Sequence, residues 1–170
     1  ADGPQGHGVG LRDASGALVP AYDALATAGI EPLTLVEKEG LALINGTDGM
    51  LGMLVLALHD LETLLLTADI AAAMSVESQL GTDAVFAADL MALRAQMGQS
   101  ASAANLRAWR RDSPMVASHK GPDDGRVQDA YSLRCSPQVH GAARDTLAHA
   151  ALIAGRELAS VIDNPVITLD

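Results

Sequence analysis

Leu51-Gly52-Met53-Leu54-Val55-Leu56-Ala57-Leu58-His59-Asp60-Leu61-Glu62-Thr63-Leu64-Leu65 decides the fold class of this chain. Leu51, Leu54, Leu58, Leu61 and Leu65 recur at spacings of three and four, the period of a helix. Apolar residues also fill the positions between them, so the helix is nearly apolar all round. Such a helix belongs in the centre of a bundle or in an oligomer interface. Thr47 or Asp48 is the expected cap, and the helix is expected to run to about Ser75 or Leu80, with Gly81 ending it.

Composition points the same way. Hydrophobic residues make up 49% of the 170 residues and are nearly all Ala, Leu, Val, Ile and Met; the aromatics are Tyr22, Phe86, Trp109 and Tyr131. Ala and straight-chain residues lose little entropy in a helix, which favours helices packed closely on helices. A β-sandwich needs β-branched and aromatic residues on its sheet faces and is disfavoured. The length allows one ordinary domain. A net charge of −10 disfavours nucleic acid, whose phosphates require a basic footprint. The single Cys135 cannot form an internal disulfide, which suits a reducing cytoplasm. No signal peptide is evident in Ala1-Asp2-Gly3-Pro4. The longest apolar stretch, Met50 to Leu58, is too short to span a bilayer, so no membrane is expected. The chain begins without Met and stops straight after Val166-Ile167-Thr168-Leu169, and both ends are expected to be cuts within a longer protein.

On either side of the long helix the chain breaks into shorter pieces. Residues 1–19 are expected to form a small β-hairpin and its connection, with Arg12-Asp13-Ala14-Ser15-Gly16 as the turn. Residues 20–170 are expected to be a helical core segment. Pro20 opens a short helix that Gly29 closes. Pro32 to Val36 is extended, and Glu37 to Ile44 supplies one or two helical turns ending near Asn45-Gly46. Further helices are expected over Asp89 to Met97 and over Ser102 to Arg111, the latter capped by Ser100 or Ser102, with a polar loop over 112–126. Pro137 starts the last long helix, to about Ile162, with Val139, Ala143, Leu147, Ala151 and Ala154 along its core stripe. Asp163-Asn164-Pro165 stops it, because the residue before Pro avoids the helical region.

Three groups of residues could carry chemistry. In Leu41-Ala42-Leu43-Ile44-Asn45-Gly46-Thr47 a polar amide follows an apolar run, and Asn45 can donate and accept at once to orient a ligand. The same residues also read as a helix C-cap followed by an N-cap. In Val127-Gln128-Asp129-Ala130-Tyr131-Ser132-Leu133-Arg134, Gln128, Tyr131 and Arg134 are spaced by three. A 3₁₀ turn would line all three along one edge. An amide, a phenol and a forked guanidinium suit a small carboxylate, although a surface loop with a surface arginine has the same spacing. The histidines, His7, His59, His119, His140 and His149, show no metal-ligand spacing, so no metal site is expected. His119 near Asp123 and Asp124 reads as a solvated loop, and His59 as a packed core histidine. Trp109 with Arg107, Arg110 and Arg111 reads as one exposed helix face.

Two of these segments and the C-terminal turn resemble the histidine branch of the aromatic amino acid ammonia-lyase family. Glu39-Gly40-Leu41-Ala42-Leu43-Ile44-Asn45-Gly46-Thr47 is similar to its E-G-L-A-L-x-N-G-T stretch. Val127-Gln128-Asp129-Ala130-Tyr131-Ser132-Leu133-Arg134-Cys135-Ser136-Pro137-Gln138-Val139 is similar to its V-Q-D-x-Y-S-L-R-C-x-P-Q-V stretch. Ser160-Val161-Ile162-Asp163-Asn164-Pro165 is similar to its S-x-x-D-N-P turn. The flavour of Asp48-Gly49-Met50-Leu51-Gly52-Met53 is actinobacterial. Order and spacing agree along essentially the whole chain.

The resemblance implies an all-α, long-helix bundle of the aspartase-like type, assembled as a homotetramer in the cytoplasm. It implies a methylidene-imidazolone electrophile, and elimination of ammonia from L-histidine to give urocanate. Arg134 would then bind the substrate carboxylate, Asn45 and Tyr131 would sit by the electrophile and the amino group, and Gln128 would complete the pocket. Asn45 and Arg134 are expected to face a single cavity. Tyrosine and phenylalanine lyases and aminomutases share much of the pattern, and a non-catalytic helical assembly fragment is the remaining alternative.

The chain also contains Ala14-Ser15-Gly16, the tripeptide that cyclises in the family. Here Asp13 precedes it and Ala17-Leu18-Val19-Pro20 follows, where the family has Gly before and Asp-Leu-Ala-Pro after. It also lies much closer to Asn45 than the family's triad does. It is therefore read as a hairpin turn, with the cyclising triad and the proton-abstracting tyrosine expected upstream of Ala1.

Overall fold

The computed structural model describes residues 10–122 and 124–162. The expected Asp163-Asn164-Pro165 turn, His7 and Asp123 lie outside them. The chain divides after Gly46 into two compact units.

The first unit opens with the expected hairpin. Strands β1 (Gly10–Arg12) and β2 (Leu18–Pro20) pair antiparallel, with Leu11 opposite Val19. Asp13 shapes the turn. Its Oδ1 accepts hydrogen bonds from Ser15 N–H (2.8 Å), Ser15 Oγ (2.6 Å) and Ala17 N–H (3.0 Å), while Gly16 takes φ +83°. Local carboxylate capture of this kind is why Asp and Gly recur in turns. Helix α1 (Ala21–Thr27) follows directly, with Pro20 at its N-cap and Gly29 beyond its end at φ +68°. Helix α2 (Glu39–Asn45) ends on Asn45, and Gly46 leaves in extended conformation.

The second unit is built on three helices: α3 (Asp48–Ser78), α5 (Met97–Trp109) and α8 (Ser136–Leu158). Shorter pieces join them: a 3₁₀ turn at Ala84–Phe86, then α4 (Ala88–Ala92), α6 (Pro114–Ser118) and α7 (Tyr131–Arg134). The core is Ala73, Val76, Phe86, Met91, Ala103 and Leu106, with Ala72, Val85 and Leu133 against it. Side chains as large as Phe86 and Leu106, fully buried, contribute about 1.5–3 kcal/mol each.

α3 ends in a Schellman turn. Gly81 N–H donates to Val76 O (2.6 Å), Leu80 N–H donates to Glu77 O (3.0 Å), and Leu80 takes the left-handed conformation at φ +52°. Gly81 sits in close approach: a Cβ there would stand 3.1 Å from Val76 and 3.2 Å from Asp129 Oδ2, so these neighbours would have to give by a few tenths of an ångström.

The long helix departs from expectation in how it is covered. Only Leu51, Asp69, Ala73 and Val76 are buried, while Met53, Leu56, Leu64 and Met74 are exposed. His59, expected in a core, is exposed as well. Taken whole, α3 is long and apolar enough to cross a membrane. The reading of Met50 to Leu58 missed this because scattered polar residues interrupt the apolar run.

Four other expectations are corrected. The helix placed over Asp89 to Met97 stops at Ala92, where Arg94 N–H turns back to Met91 O. α5 begins at Met97, earlier than expected, and neither Ser100 nor Ser102 caps it. Asp145 of α8 accepts the Gly98 N–H instead (2.9 Å), and Ser102 lies buried inside the helix. Within the supposed polar loop, Ser113 caps α6 by accepting Val116 N–H (3.3 Å), with Pro114 at the first helical position. On α8 the buried residues are Ser136, Pro137, Gly141 and Ala154; of the expected stripe only Ala154 is buried, Leu147 is half-buried, and Val139, Ala143 and Ala151 are exposed. The reason is the α5–α8 crossing, where Gly98 and Gly141 meet backbone to backbone and leave no room for a Cβ on either.

Candidate active-site segment around Tyr131 and Arg134

Ala130 is extended (φ −57°, ψ 149°) and starts α7. Its carbonyl accepts from both Leu133 N–H (3.0 Å) and Arg134 N–H (3.1 Å), so the turn mixes 3₁₀ and α character. Tyr131 and Arg134 fall on one edge, as their spacing predicts. The guanidinium carbon of Arg134 stands 4.1 Å from the centroid of the Tyr131 ring. Gln128 does not share that edge as a helical residue, because it precedes α7 in the loop. Leu133 points the other way and packs on the core, while Tyr131 is 72% exposed.

The Arg134 side chain makes no ion pair or hydrogen bond among the described residues, and its Nε is buried without a partner. A buried donor left unpaired costs about 1–3 kcal/mol, so it is retained where something else compensates it or where a ligand uses it. Asn45, at the end of α2 in the first unit, is exposed. The cap reading of this stretch is half right: Gly46 caps α2, but the Thr47 side chain makes no capping hydrogen bond to α3.

Behind α7, a buried polar centre pins the three long helices. Asp69 of α3 is fully buried. Its Oδ2 accepts from Asn105 Nδ2 of α5 (2.8 Å) and Arg144 Nη2 of α8 (2.5 Å), and its Oδ1 from His140 Nδ1 of α8 (2.7 Å). Arg144 Nε also donates to Ser102 Oγ (2.9 Å). Burial pushes the Asp69 carboxyl up, but these hydrogen bonds and the Arg144 charge outweigh it and hold the group below the usual carboxylate range.

The expected exposed basic face on α5 is not one. Arg110 is buried and lies over the Phe86 ring at 4.5 Å, and Arg107 Nη1 donates to Phe86 O (2.6 Å). His119 is also engaged, with its ring nitrogens 2.8 Å from Met115 O and 3.1 Å from Gly81 O.

The family model for aromatic amino acid lyases matches residues 6–170. This chain belongs to that family. It is 60% identical over 155 residues to a histidine ammonia-lyase of Streptomyces avermitilis, covering 91% of this chain and 30% of that protein. Among solved structures, the tyrosine aminomutase of Streptomyces globisporus superposes with a TM-score of 0.76 at 39% identity, over 90% of this chain and 32% of the other. The histidine ammonia-lyase of Trypanosoma cruzi gives 0.71 at 34% identity, over 90% of this chain and 27% of the other. The chain therefore spans about 30% of the length of the curated relative.

Within this aromatic amino acid lyase segment, sequence reading overlooked Asp129 and the Asp69 centre. Asp69 carried a usable signal. A carboxylate flanked by apolar residues in the buried half of the helix requires partners. Those partners lie 36, 71 and 75 residues away, which no local pattern reveals.

Proposed function

We propose that this chain is the central part of a cytoplasmic ammonia-lyase that eliminates ammonia from L-histidine to give urocanate, working as a homotetramer. One observation carries the reading: Arg134 is held over the Tyr131 ring with its guanidinium unpaired among the described residues. A planar fork of this kind matches a carboxylate in two parallel hydrogen bonds. Arg134 binds the substrate carboxylate, Gln128 offers its amide beside it, and Tyr131 faces the amino group; Asn45, in the first unit, carries the role that its motif implies. The family likeness and the 60% identity to a histidine ammonia-lyase support this assignment.

The reaction calls for a methylidene-imidazolone group. Ala14-Ser15-Gly16 does not suit its formation, because Asp13 engages both the amide and the hydroxyl of Ser15 in the hairpin turn. The group belongs to polypeptide outside this segment, where it supplies an electrophile for the substrate. Tyr131 suits its neighbourhood, since its side chain is exposed and makes no hydrogen bond among the described residues. The exposed apolar length of α3 suits burial against further helices of the same protein or its copies.

A tyrosine-specific lyase or aminomutase is the second reading, favoured by the likeness to a tyrosine aminomutase. Incubating the complete polypeptide with L-histidine, L-tyrosine and L-phenylalanine, while following ammonia and the unsaturated acid, separates the two. Ammonia and urocanate from L-histidine are expected. A β-amino acid from L-tyrosine without net ammonia release overturns the proposal.

A further inference from the structure

The loop that carries Gln128 reaches α7 through Asp129, whose side chain is only 7% exposed although its neighbours face outward. Asp129 Oδ2 accepts the Thr82 N–H at 2.6 Å, across 47 residues of sequence. Its Oδ1 lies 3.9 Å from Arg126 Nη1, which donates to Gln79 O at 3.4 Å. The anchor point is itself fixed. Thr82 follows the Schellman turn of α3 that Gly81 closes, and His119 Nε2 at the end of α6 lies 3.1 Å from the Gly81 carbonyl. Tyr131 is thus bracketed by a polar anchor at Asp129 and an apolar anchor at Leu133.

We propose that Asp129 is a positioning residue for the substrate carboxylate: by holding Thr82 N–H it fixes where Gln128, Tyr131 and Arg134 stand. This rests on the reading of Arg134 and Gln128 as the carboxylate-binding side of the pocket, with Tyr131 between them at the amino group. The physical reason is exposure. Tyr131 and Gln128 have little packing of their own, so the backbone on either side must define them. Displacement of a binding group by about 1 Å costs up to 10²-fold in rate. A main-chain hydrogen bond to a carboxylate is among the stronger anchors available to a loop.

The test uses the complete lyase polypeptide and two probes, L-histidine and histamine, which share the ring and amine but differ in the carboxylate. Asp129→Ala is expected to raise KM for L-histidine about tenfold and the inhibition constant of histamine, which meets Tyr131 but has no carboxylate, by no more than about threefold. Asp129→Asn keeps an acceptor for Thr82 N–H and is expected to stay within about threefold of the parent. If Asp129→Ala does not fold, Gly81→Ala replaces it, because the added Cβ presses on Asp129 Oδ2 from 3.2 Å as well as on Val76 from 3.1 Å; a smaller rise in the same KM, again exceeding the change for histamine, is expected. Parental KM in Asp129→Ala beside an impaired Arg134→Lys overturns the positioning role alone. Equal loss for L-histidine and histamine overturns it too, as that marks general damage to the loop. Parental kinetics in Arg134→Lys removes the underlying carboxylate assignment, and the role of Asp129 falls with it.

Discussion

Arg134 lies over the ring of Tyr131, three residues earlier on the same turn, at 4.1 Å. The contact follows from local geometry: one helical turn puts residues i and i+3 on one edge, and the ring face attracts the cation. It keeps the guanidinium oriented without using up its charge on a carboxylate of the same segment. The side chain most suited to a small anion is therefore held in place and left available.

The Asp69 centre makes the three-helix core acid-sensitive. The folded pKa of Asp69 lies below its ordinary value of 3.8. Its contribution to stability is therefore fully present above that value and is lost as pH falls through the folded pKa. Asp69→Ala leaves Arg144 and His140 without their shared acceptor and should destabilise the fold by about 3 kcal/mol at neutral pH. Thermal unfolding of the complete polypeptide from pH 7 to pH 3 should show the parent losing Tm below pH 4 more steeply than the variant. Parallel curves would remove Asp69 from that role.

At the α5–α8 crossing, Gly98→Ala should push the helices apart, since its Cβ meets the carbonyl of Gly141 and stands 2.8 Å from Asp145 Oδ1. Backbone cannot yield as a flexible side chain can, so a loss of about 2 kcal/mol or more is expected. Denaturant unfolding checks this, and an unchanged midpoint would mean that the crossing is looser than described.

Arg110 leads to the opposite expectation. It is buried, its terminal nitrogens lack partners, and burial draws its pKa down against partial compensation from Asp83 and Glu77. Arg110→Met keeps contact with Phe86 and removes the desolvated charge. Stability should be unchanged or rise by about 1 kcal/mol. A loss above about 2 kcal/mol would show that the guanidinium has a partner elsewhere in the protein.

The hairpin, α1, the long α3 and the start of α8 were legible because each is written locally: Asp13 before Gly16, Pro20 before Gly29, leucines at helical spacing, Pro137 at a helix start. The pairing of Tyr131 with Arg134 was legible for the same reason, as a spacing of three. What was not legible depends on distant contacts. Ser102 looks like a cap in sequence but is a buried acceptor for Arg144. Arg110 looks like a surface cation but is covered by the Phe86 turn. The buried face of α8 is set by two glycines and by the partners of Asp69, whereas apolar periodicity pointed to Val139. Asp129 was read only as part of a motif, because its partner Thr82 is 47 residues away.

The most direct test of the account is the steady-state release of ammonia from L-histidine by the complete polypeptide carrying Arg134→Lys. Lys keeps the charge but lacks the fork, so kcat/KM should fall by roughly 10²-fold, in line with the loss of one well-placed donor. A kcat/KM within about twofold of the parent, a difference worth under ~0.5 kcal/mol, would contradict the assignment of Arg134 to the substrate carboxylate.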